Sequence, residues 1–163
     1  MPKAVITGVT GQDGSWLADL LVSKGYEVIG TFRPRMGILD ITNLSRESLD
    51  AIRPAAIDLL DTDAMAHMLG VEQPDYLYNL AALSYVASSW VGVETAMQTN
   101  ALAVARLLGA VRERAPRCRV YQASSSEMYG NSAPPQAEYT PMLPASPYGV
   151  SKLAAHHIAR VFR

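Results

Sequence analysis

Short runs of β-forming residues alternate with amphipathic helical stretches, and this alternation is the strongest constraint on the fold. Five runs have the composition of strands: residues 4–7, 26–32, 55–57, 75–80 and 119–123. Residues with helical spacing of apolar side chains lie between them. Strands that alternate with helices are joined by crossovers, which make the strands parallel. The sequence therefore predicts an α/β fold with a doubly wound parallel sheet of the Rossmann type.

Apolar residues three or four positions apart mark the helical faces. These faces are Leu17, Leu20 and Leu21; Met65, Met68 and Leu69; and Ala101, Val104, Ala105, Leu108 and Val111, in a helix that ends before Pro116. A last helix is expected to begin near Tyr148, because Ser146 is a suitable cap and Pro147 suits a first turn. Residues 44–52 have helical potential, and the proline-rich residues 133–147 are expected to form an ordered loop.

Composition and charge exclude several classes of protein. The chain has 163 residues, about one domain's worth, and a formal net charge of −1, so it lacks the basic footprint of a nucleic-acid-binding protein. One cysteine, Cys118, cannot form an internal disulfide. The uncharged residues 76–93 contain polar side chains and indicate a strand, a loop and a helix start rather than a membrane span. We predict a soluble cytoplasmic protein. We also predict that it has no metal site, since His67, His156 and His157 have no partners at metal-ligand spacing.

A glycine-rich turn follows the first predicted strand and precedes the first predicted helix. It reads Gly8-Val9-Thr10-Gly11-Gln12-Asp13-Gly14. Glycines allow backbone N–H groups to approach a pyrophosphate, and a helix N-terminus adds partial positive charge. The turn could be purely structural, but its position between strand and helix favours dinucleotide binding. Its Gly-x-x-Gly-x-x-Gly spacing resembles that of the extended short-chain dehydrogenase/reductase superfamily.

The end of the second predicted strand indicates which dinucleotide is bound. NAD-binding sites usually have an acidic residue there for the ribose hydroxyls. This chain has Arg33 and Arg35, with no acid until Asp40. A guanidinium suits a 2′-phosphate, which favours NADP. The alternative is that Arg33 is an ordinary solvated surface residue.

Tyr148 and Lys152 lie four residues apart, on one face of the last predicted helix. A free phenol, with a pKa of about 10, is a poor base at neutral pH. A neighbouring cation favours the phenolate. Such a pair can accept a proton from an alcohol while a hydride leaves for a nicotinamide ring. The Tyr-x-x-x-Lys pattern alone is weak evidence for a catalytic pair. It becomes specific evidence when it follows the fifth strand of a nucleotide-binding sheet.

Ser124-Ser125-Ser126-Glu127 directly follows the fifth predicted strand, at the edge where such sheets bind ligands. A hydroxyl there can orient a substrate and stabilise charge on the reacting oxygen. Glu127 is more informative, since an alcohol dehydrogenase needs no added carboxylate. An acid beside a sugar could remove a carbon-bound proton or protonate a leaving hydroxyl. The alternative is that Glu127 only hydrogen-bonds a loop.

Four segments resemble the GDP-mannose 4,6-dehydratase family. They are the turn at residues 8–15, residues 121–130 with Ser146-Pro147-Tyr148, and the loop Asn79-Leu80-Ala81-Ala82-x-Ser84. The resemblance covers nearly the whole chain but only about the first half of a typical member. It implies an NADP-binding Rossmann domain over residues 1–163, truncated before the C-terminal strands and the substrate domain.

The resemblance also implies roles for individual residues. The catalytic residues would be Ser125, Glu127, Tyr148 and Lys152. The cofactor would contact Gly8, Val9, Thr10, Gly11, Gln12, Asp13, Gly14, Arg33, Asp58, Leu59, Leu80, Ala81, Ala82, Ser84, Tyr148 and Lys152. The substrate would contact Ser84, Ser125, Ser126 and Glu127.

The implied enzyme converts GDP-mannose to GDP-4-keto-6-deoxy-mannose by internal hydride transfer through NADP, as a homo-oligomer (dimer or tetramer). We expect the present residues alone to bind NADP without turnover. Alternatives are a GDP-4-keto-6-deoxy-mannose reductase, another nucleotide-sugar epimerase or reductase, and a truncated, non-catalytic NADP-binding module.

Overall fold

The computed structural model describes residues 1–34 and 43–163, and within them five strands form one parallel sheet. The strands are β1 (Lys3–Thr7), β2 (Glu27–Phe32), β3 (Arg53–Ala56), β4 (Tyr76–Asn79) and β5 (Arg119–Gln122). Their order is β3-β2-β1-β4-β5, and each neighbouring pair is parallel. This order is that of the Rossmann fold, so the predicted α/β class is confirmed.

Helices connect the strands, as the sequence predicts. They are α1 (Gln12–Ser23), α2 (Arg46–Ala51), α3 (Thr62–Glu72), α4 (Val93–Met97), α5 (Ala103–Arg114) and α6 (Pro147–Phe162). A π-helical segment, Gln98–Leu102, joins α4 to α5, and single 3₁₀ turns form at Ala87–Trp90 and Ser126–Met128. The predicted start of the last helix is confirmed, because the Ser146 hydroxyl accepts a hydrogen bond from the Gly149 N–H at 3.0 Å. In the described part of the chain, no helix is long and apolar enough to cross a membrane.

The described residues divide into two compact units. The first unit contains residues 1–81 and 109–123, and therefore the whole sheet with α1, α2 and α3. The second unit contains residues 82–108 and 124–163, and therefore α4, the π-helical segment and α6. Helix α5 begins in the second unit and ends in the first. The single cofactor-binding domain expected over residues 1–163 stays a prediction.

One hydrophobic core of the first unit lies between the sheet and α1. Ala4, Ile6 and Val28 of the sheet pack with Ala18 and Leu21 of α1. Burying a side chain as large as that of Ile6, Val28 or Leu21 stabilises a fold by about 1.5–3 kcal/mol. The prediction that Leu17, Leu20 and Leu21 form the apolar face of α1 is partly wrong.

Leu20 of the predicted face is half exposed, whereas Leu21 is buried. The buried positions of α1 are Gly14, Ser15, Ala18 and Leu21, which follow the helical repeat from the glycine turn. Leu20 lies beside this stripe and faces solvent. Because small residues allow α1 to pack closely on the sheet, the buried face of α1 differs from the face that the leucine spacing predicts.

Strand β3 begins two residues earlier than predicted and contains a proline. Arg53 pairs with Ile29, and Ala56 pairs with Phe32. Proline cannot donate to a strand neighbour, and it is tolerated here because β3 is the edge of the sheet. Pairing with β2 therefore overrides the weak strand composition of this segment.

Four charges lie together at the amino end of the sheet. Lys3 contacts Glu72 at 2.9 Å and Glu27 at 3.7 Å, and Arg53 contacts both carboxylates. Hydrogen bonding from Lys3 is the largest influence on Glu72 and lowers its pKa; burial opposes this shift and Arg53 reinforces it. The group joins β1, β2, β3 and α3 by their side chains.

Glu72→Gln is expected to destabilise the fold by about 1 kcal/mol at neutral pH, since a partly exposed charge network contributes little per pair. A carboxylate whose pKa is lowered by folding stabilises the folded state above its unfolded pKa, and this stabilisation is lost as the pH falls through the folded pKa. Urea unfolding followed from neutral to acidic pH should therefore show a smaller loss of stability in the variant than in the wild type. Glu113→Gln, at an exposed position of α5, is the matched control. An equal pH dependence of the two variants would contradict the assignment.

Candidate active site

The glycine turn is the first part of the candidate site and lies in the first unit. Gly8 has a φ of +72°, and its N–H donates to the Thr31 carbonyl at 3.0 Å. The Gly11 N–H donates to the Gly8 carbonyl at 2.9 Å. A Cβ added at Gly14 would collide with that same carbonyl oxygen. Glycine is therefore required at Gly8 for its backbone conformation and at Gly14 for the close approach of α1 to β1.

The turn has the properties of a pyrophosphate cradle. Helix α1 begins after Gly11, which has no side chain to cap the first N–H groups. These N–H groups have no carbonyl partner within the helix, and the helix dipole favours an anion beside them. Gly11, Gln12 and Asp13 are exposed, so the backbone of the turn is accessible. The residues present thus fit the phosphates of a dinucleotide.

A ladder of buried polar side chains holds the carboxyl ends of three strands together. The Thr7 hydroxyl donates to the Asn79 side chain, whose amide donates to Gln122 at 2.7 Å. Thr7 also accepts the Ala81 N–H at 3.2 Å. A Cβ added at Gly8 would lie 2.9 Å from the Ala81 Cα, so the loop after β4 lies directly on the glycine turn.

The other predicted cofactor residues of the first unit follow strands of the same sheet. Arg33 is exposed and directly follows β2. Asp58 follows β3, and its carboxylate accepts the Leu60 N–H at 3.0 Å, while Leu59 is buried. Parallel strands have their carboxyl ends at one edge, so these residues share an edge with the glycine turn. Arg35 and Asp40 lie outside the described residues.

Tyr148 and Lys152 occupy the first turns of α6 in the second unit, and both are buried. The Tyr148 N–H donates to the Ser89 hydroxyl at 3.1 Å, and the Ser151 hydroxyl donates to the Tyr148 carbonyl at 2.7 Å. Two serines therefore hold the backbone of Tyr148. Burial lowers the pKa of Lys152.

Asn100 extends this network to the loop after β4. It lies in the π-helical segment and is almost completely buried. Its carbonyl oxygen accepts the Leu83 N–H at 2.8 Å, and its amide donates to the Leu83 carbonyl at 3.0 Å and to Ser151 at 3.1 Å. Local π-helical geometry is frequent at functional sites. Asn100 was not predicted from the sequence, although an amide adjoining the apolar face of a long helix was a usable signal.

Glu127 lies against the helix that carries Tyr148. It belongs to the 3₁₀ turn Ser126–Met128, which Ser125 caps by accepting the Glu127 N–H at 3.2 Å. A Cβ added at Gly149 would lie 2.6 Å from the Glu127 carbonyl oxygen, so the turn contacts α6 next to Tyr148. Glu127 itself is exposed.

A second contact lies farther along α6, where the Ser124 hydroxyl is 3.1 Å from Nδ1 of His156. Gly149 and His156 are seven residues apart, or about 10 Å along a helix. Ser124 contacts α6 at His156, whereas Glu127, three residues later, contacts it at Gly149, and Ser125 between them has the extended angles φ −156° and ψ 145°. The segment therefore runs antiparallel to α6.

Lys152 lies within the stretch of α6 between these two contacts. The second unit thus brings the four predicted catalytic residues, Ser125, Glu127, Tyr148 and Lys152, to one part of the structure. Ser126 lies exposed on the same turn. Of the predicted residues in the loop after β4, Leu80 and Ala81 belong to the first unit, whereas Ala82 and the exposed Ser84 belong to the second.

Comparisons with solved structures agree with this fold. The UDP-Glc/GlcNAc 4-epimerase from Campylobacter jejuni superposes with a TM-score of 0.86 over 99% of this chain and 49% of that chain, at 20% identity. A mutant of the UDP-glucuronic acid 4-epimerase from Bacillus cereus gives 0.84 over 98% and 52%, at 28% identity. The first of these shows likeness of fold alone.

Sequence comparisons are more specific. The chain is 42% identical to GDP-mannose 4,6 dehydratase 1 of Arabidopsis thaliana, over 94% of this chain and 45% of that protein. It is 41% identical to the GDP-mannose 4,6-dehydratase of Yersinia enterocolitica, over 100% of this chain and 46% of that protein. The chain therefore spans about half the length of these relatives. The family model described as GDP-mannose 4,6 dehydratase matches residues 5–163, and the chain belongs to that family.

Proposed function

We propose that this chain carries the cofactor-binding and acid–base residues of a nucleotide-sugar 4,6-dehydratase. The enzyme converts GDP-mannose to GDP-4-keto-6-deoxy-mannose and water, with NADP. The observation that carries this proposal is the contact of Glu127 with the first turn of α6, beside Tyr148. A carboxylate next to a tyrosine–lysine pair supplies the second acid–base group that an elimination needs.

The glycine turn would hold the pyrophosphate of NADP, and Arg33 would bind its 2′-phosphate. The first-turn N–H groups of α1 supply the donors, and a guanidinium supplies a charge-matched, bidentate partner. The bound cofactor would supply the hydride acceptor for carbon 4 of the sugar and the hydride donor for carbon 6. The Bacillus cereus epimerase was solved with NAD, which supports a nicotinamide dinucleotide on this fold.

Tyr148 acts as the base for the oxidation at carbon 4. Its oxygen takes the proton of the carbon-4 hydroxyl, and the Ser125 hydroxyl holds the same sugar oxygen. Lys152 stabilises the negative charge on the phenol oxygen. The Ser89, Ser151 and Asn100 hydrogen bonds fix the backbone from which the phenol projects.

Glu127 catalyses the loss of water. The ketone at carbon 4 makes the carbon-5 proton acidic, and the Glu127 carboxylate removes it. The electron pair of the broken C–H bond forms a carbon–carbon double bond, and the carbon-6 hydroxyl departs as water with the proton that Glu127 returns. With the hydride returned to carbon 6, Tyr148 gives its proton to carbon 5, so the sugar loses one water without net oxidation.

Incubation of the full product of the gene with GDP-mannose tests the proposal. A product lighter by one water, with a carbonyl at carbon 4 and deuterium from solvent at carbon 5, is the expected result. A 4-epimer of unchanged mass would support an epimerase instead, the activity named for the two structural neighbours. Consumption of NADPH by a 4-keto sugar would support a reductase. NADP binding without any of these reactions would support a non-catalytic module.

Arg33→Glu is expected to weaken NADP binding about 10- to 100-fold, because a charge-assisted hydrogen bond contributes about 1.5–3 kcal/mol and a carboxylate repels the 2′-phosphate. NAD, which has no 2′-phosphate, should bind the variant at least as well as the wild type. Calorimetric titration with both dinucleotides measures the change. Arg46→Glu, at an exposed position of α2, is the matched control. An equal loss of affinity for both dinucleotides would contradict NADP selection by Arg33.

The protein is also proposed to act in the cytoplasm as a homo-dimer or homo-tetramer. Exposed apolar side chains on the second unit, among them Trp90, Val91 and Val150, support association with another copy. Light scattering of the purified gene product gives the number of subunits.

A further inference from the structure

The hydrogen bond between Ser124 and His156 lies beside the proposed catalytic residues and has no part in the chemistry described above. Ser124 directly precedes Ser125, and its hydroxyl is 3.1 Å from Nδ1 of His156. His156 lies on α6 one turn after Lys152 and two turns after Tyr148, on the same face of the helix. We propose that Ser124 and His156 form a positioning pair that aligns Ser125 and Glu127 with the catalytic face of α6.

The geometry of the segment shows what the attachment at His156 adds. The turn at Glu127 touches α6 at Gly149, and the N–H of Glu127 bonds back to Ser125 within its own turn. The hydrogen bond from Ser124 to His156 adds a side-chain attachment immediately before Ser125. Attachment at Gly149 and at His156, about 10 Å apart along the helix, fixes both the position and the direction of the segment.

The chemistry of the pair suits this purpose. The unprotonated Nδ1 of a neutral imidazole accepts a hydrogen bond from a hydroxyl, and a protonated Nδ1 donates one to the hydroxyl oxygen. Hydrogen bonding is therefore possible in either state of the ring. The imidazole of His156 also packs edge-on against His157, with ring centroids 5.8 Å apart, which restricts its rotation.

This inference rests on the proposed dehydratase function only for its kinetic test. Ser124→Ala and His156→Phe are each expected to lower kcat for GDP-mannose about 10-fold, because small misplacements of catalytic groups slow a reaction strongly. The KM should change less than about twofold, since neither residue is among the proposed substrate contacts. The double variant should be no slower than either single variant, because both remove one interaction.

His156→Asn is the conservative variant, since its amide can offer a polar atom near the position of Nδ1. It should keep kcat within about threefold of the wild type. His67→Phe, at an exposed position of α3, removes an imidazole elsewhere and should leave kcat unchanged. Circular dichroism gives the folded fraction, so that all rates refer to folded protein.

A second measurement on the same variants does not need activity. In nuclear magnetic resonance spectra, Ser124→Ala should move the His156 ring nitrogen signals and the amide signals of Glu127 and Gly149. Unchanged amide signals, or an unchanged kcat per folded molecule in both single variants, would overturn the positioning pair. Failure of the wild type to form a keto sugar would overturn the dehydratase function instead, and the amide signals would still decide the positioning pair.

Discussion

Glu127→Gln is expected to lower kcat for GDP-mannose about 10²- to 10⁴-fold, the range that one acid–base group contributes. The amide keeps the size and hydrogen-bonding capacity of the side chain but cannot accept the carbon-5 proton. Oxidation at carbon 4 depends on Tyr148 and should continue. Rapid mixing should therefore show reduced nicotinamide accumulating to a fraction of the enzyme sites, followed by very slow formation of product, whereas the wild type accumulates little.

Deuterium exchange gives an independent readout of the same step. In heavy water the wild type should incorporate deuterium at carbon 5, and Glu127→Gln should not. Glu138→Gln, at an exposed position of the following loop, is the matched control and should behave as the wild type. Normal turnover by the Glu127 variant would mean that this carboxylate only belongs to a loop, and the case for elimination at this site would be lost.

The sequence was sufficient to predict the fold class and the contiguous motifs. Each motif spans only a few residues, so its spacing and the strand before it are enough to locate it. These motifs are the glycine turn, the Ser125–Glu127 segment and the Tyr148–Lys152 pair. The cap at Ser146 was likewise predicted, because capping depends on the three following residues. A single sequence therefore predicts those features that depend on residues close together in the chain.

Features that depend on distant residues were missed. Asn100 bonds to Leu83 and Ser151, which are 17 and 51 positions away. His156 meets Ser124 across 32 positions, and the sequence predicted of it only that it would not bind a metal. The same reason explains the shifted β3 and the exposed Leu20, since pairing with β2 and the approach of α1 to the sheet determine them. No local pattern specifies these partners.

Lys152→Met is expected to have opposite effects on activity and stability. Loss of the ammonium removes the charge that stabilises the Tyr148 phenolate, so kcat should fall about 10²- to 10⁴-fold. Burial lowers the pKa of Lys152 below its usual 10.5, so the charged form is less favourable in the folded chain than in the unfolded chain. Methionine has a similar shape and no charge, and the variant should be more stable by about 1 kcal/mol at neutral pH.

The pH dependence separates this explanation from a simple change in packing. Between the lowered pKa and 10.5 the unfolded chain binds more protons at this residue than the folded chain, so the stability contributed by this group rises with pH in that window. Relative to the wild type, the advantage of Lys152→Met should therefore shrink as the pH increases towards 10.5. Urea unfolding of both proteins, with Lys24→Met at the exposed end of α1 as the matched control, measures this convergence. A variant that is less stable at neutral pH would mean that Lys152 stabilises the fold through its other interactions, and the site would then contain no trade-off between activity and stability.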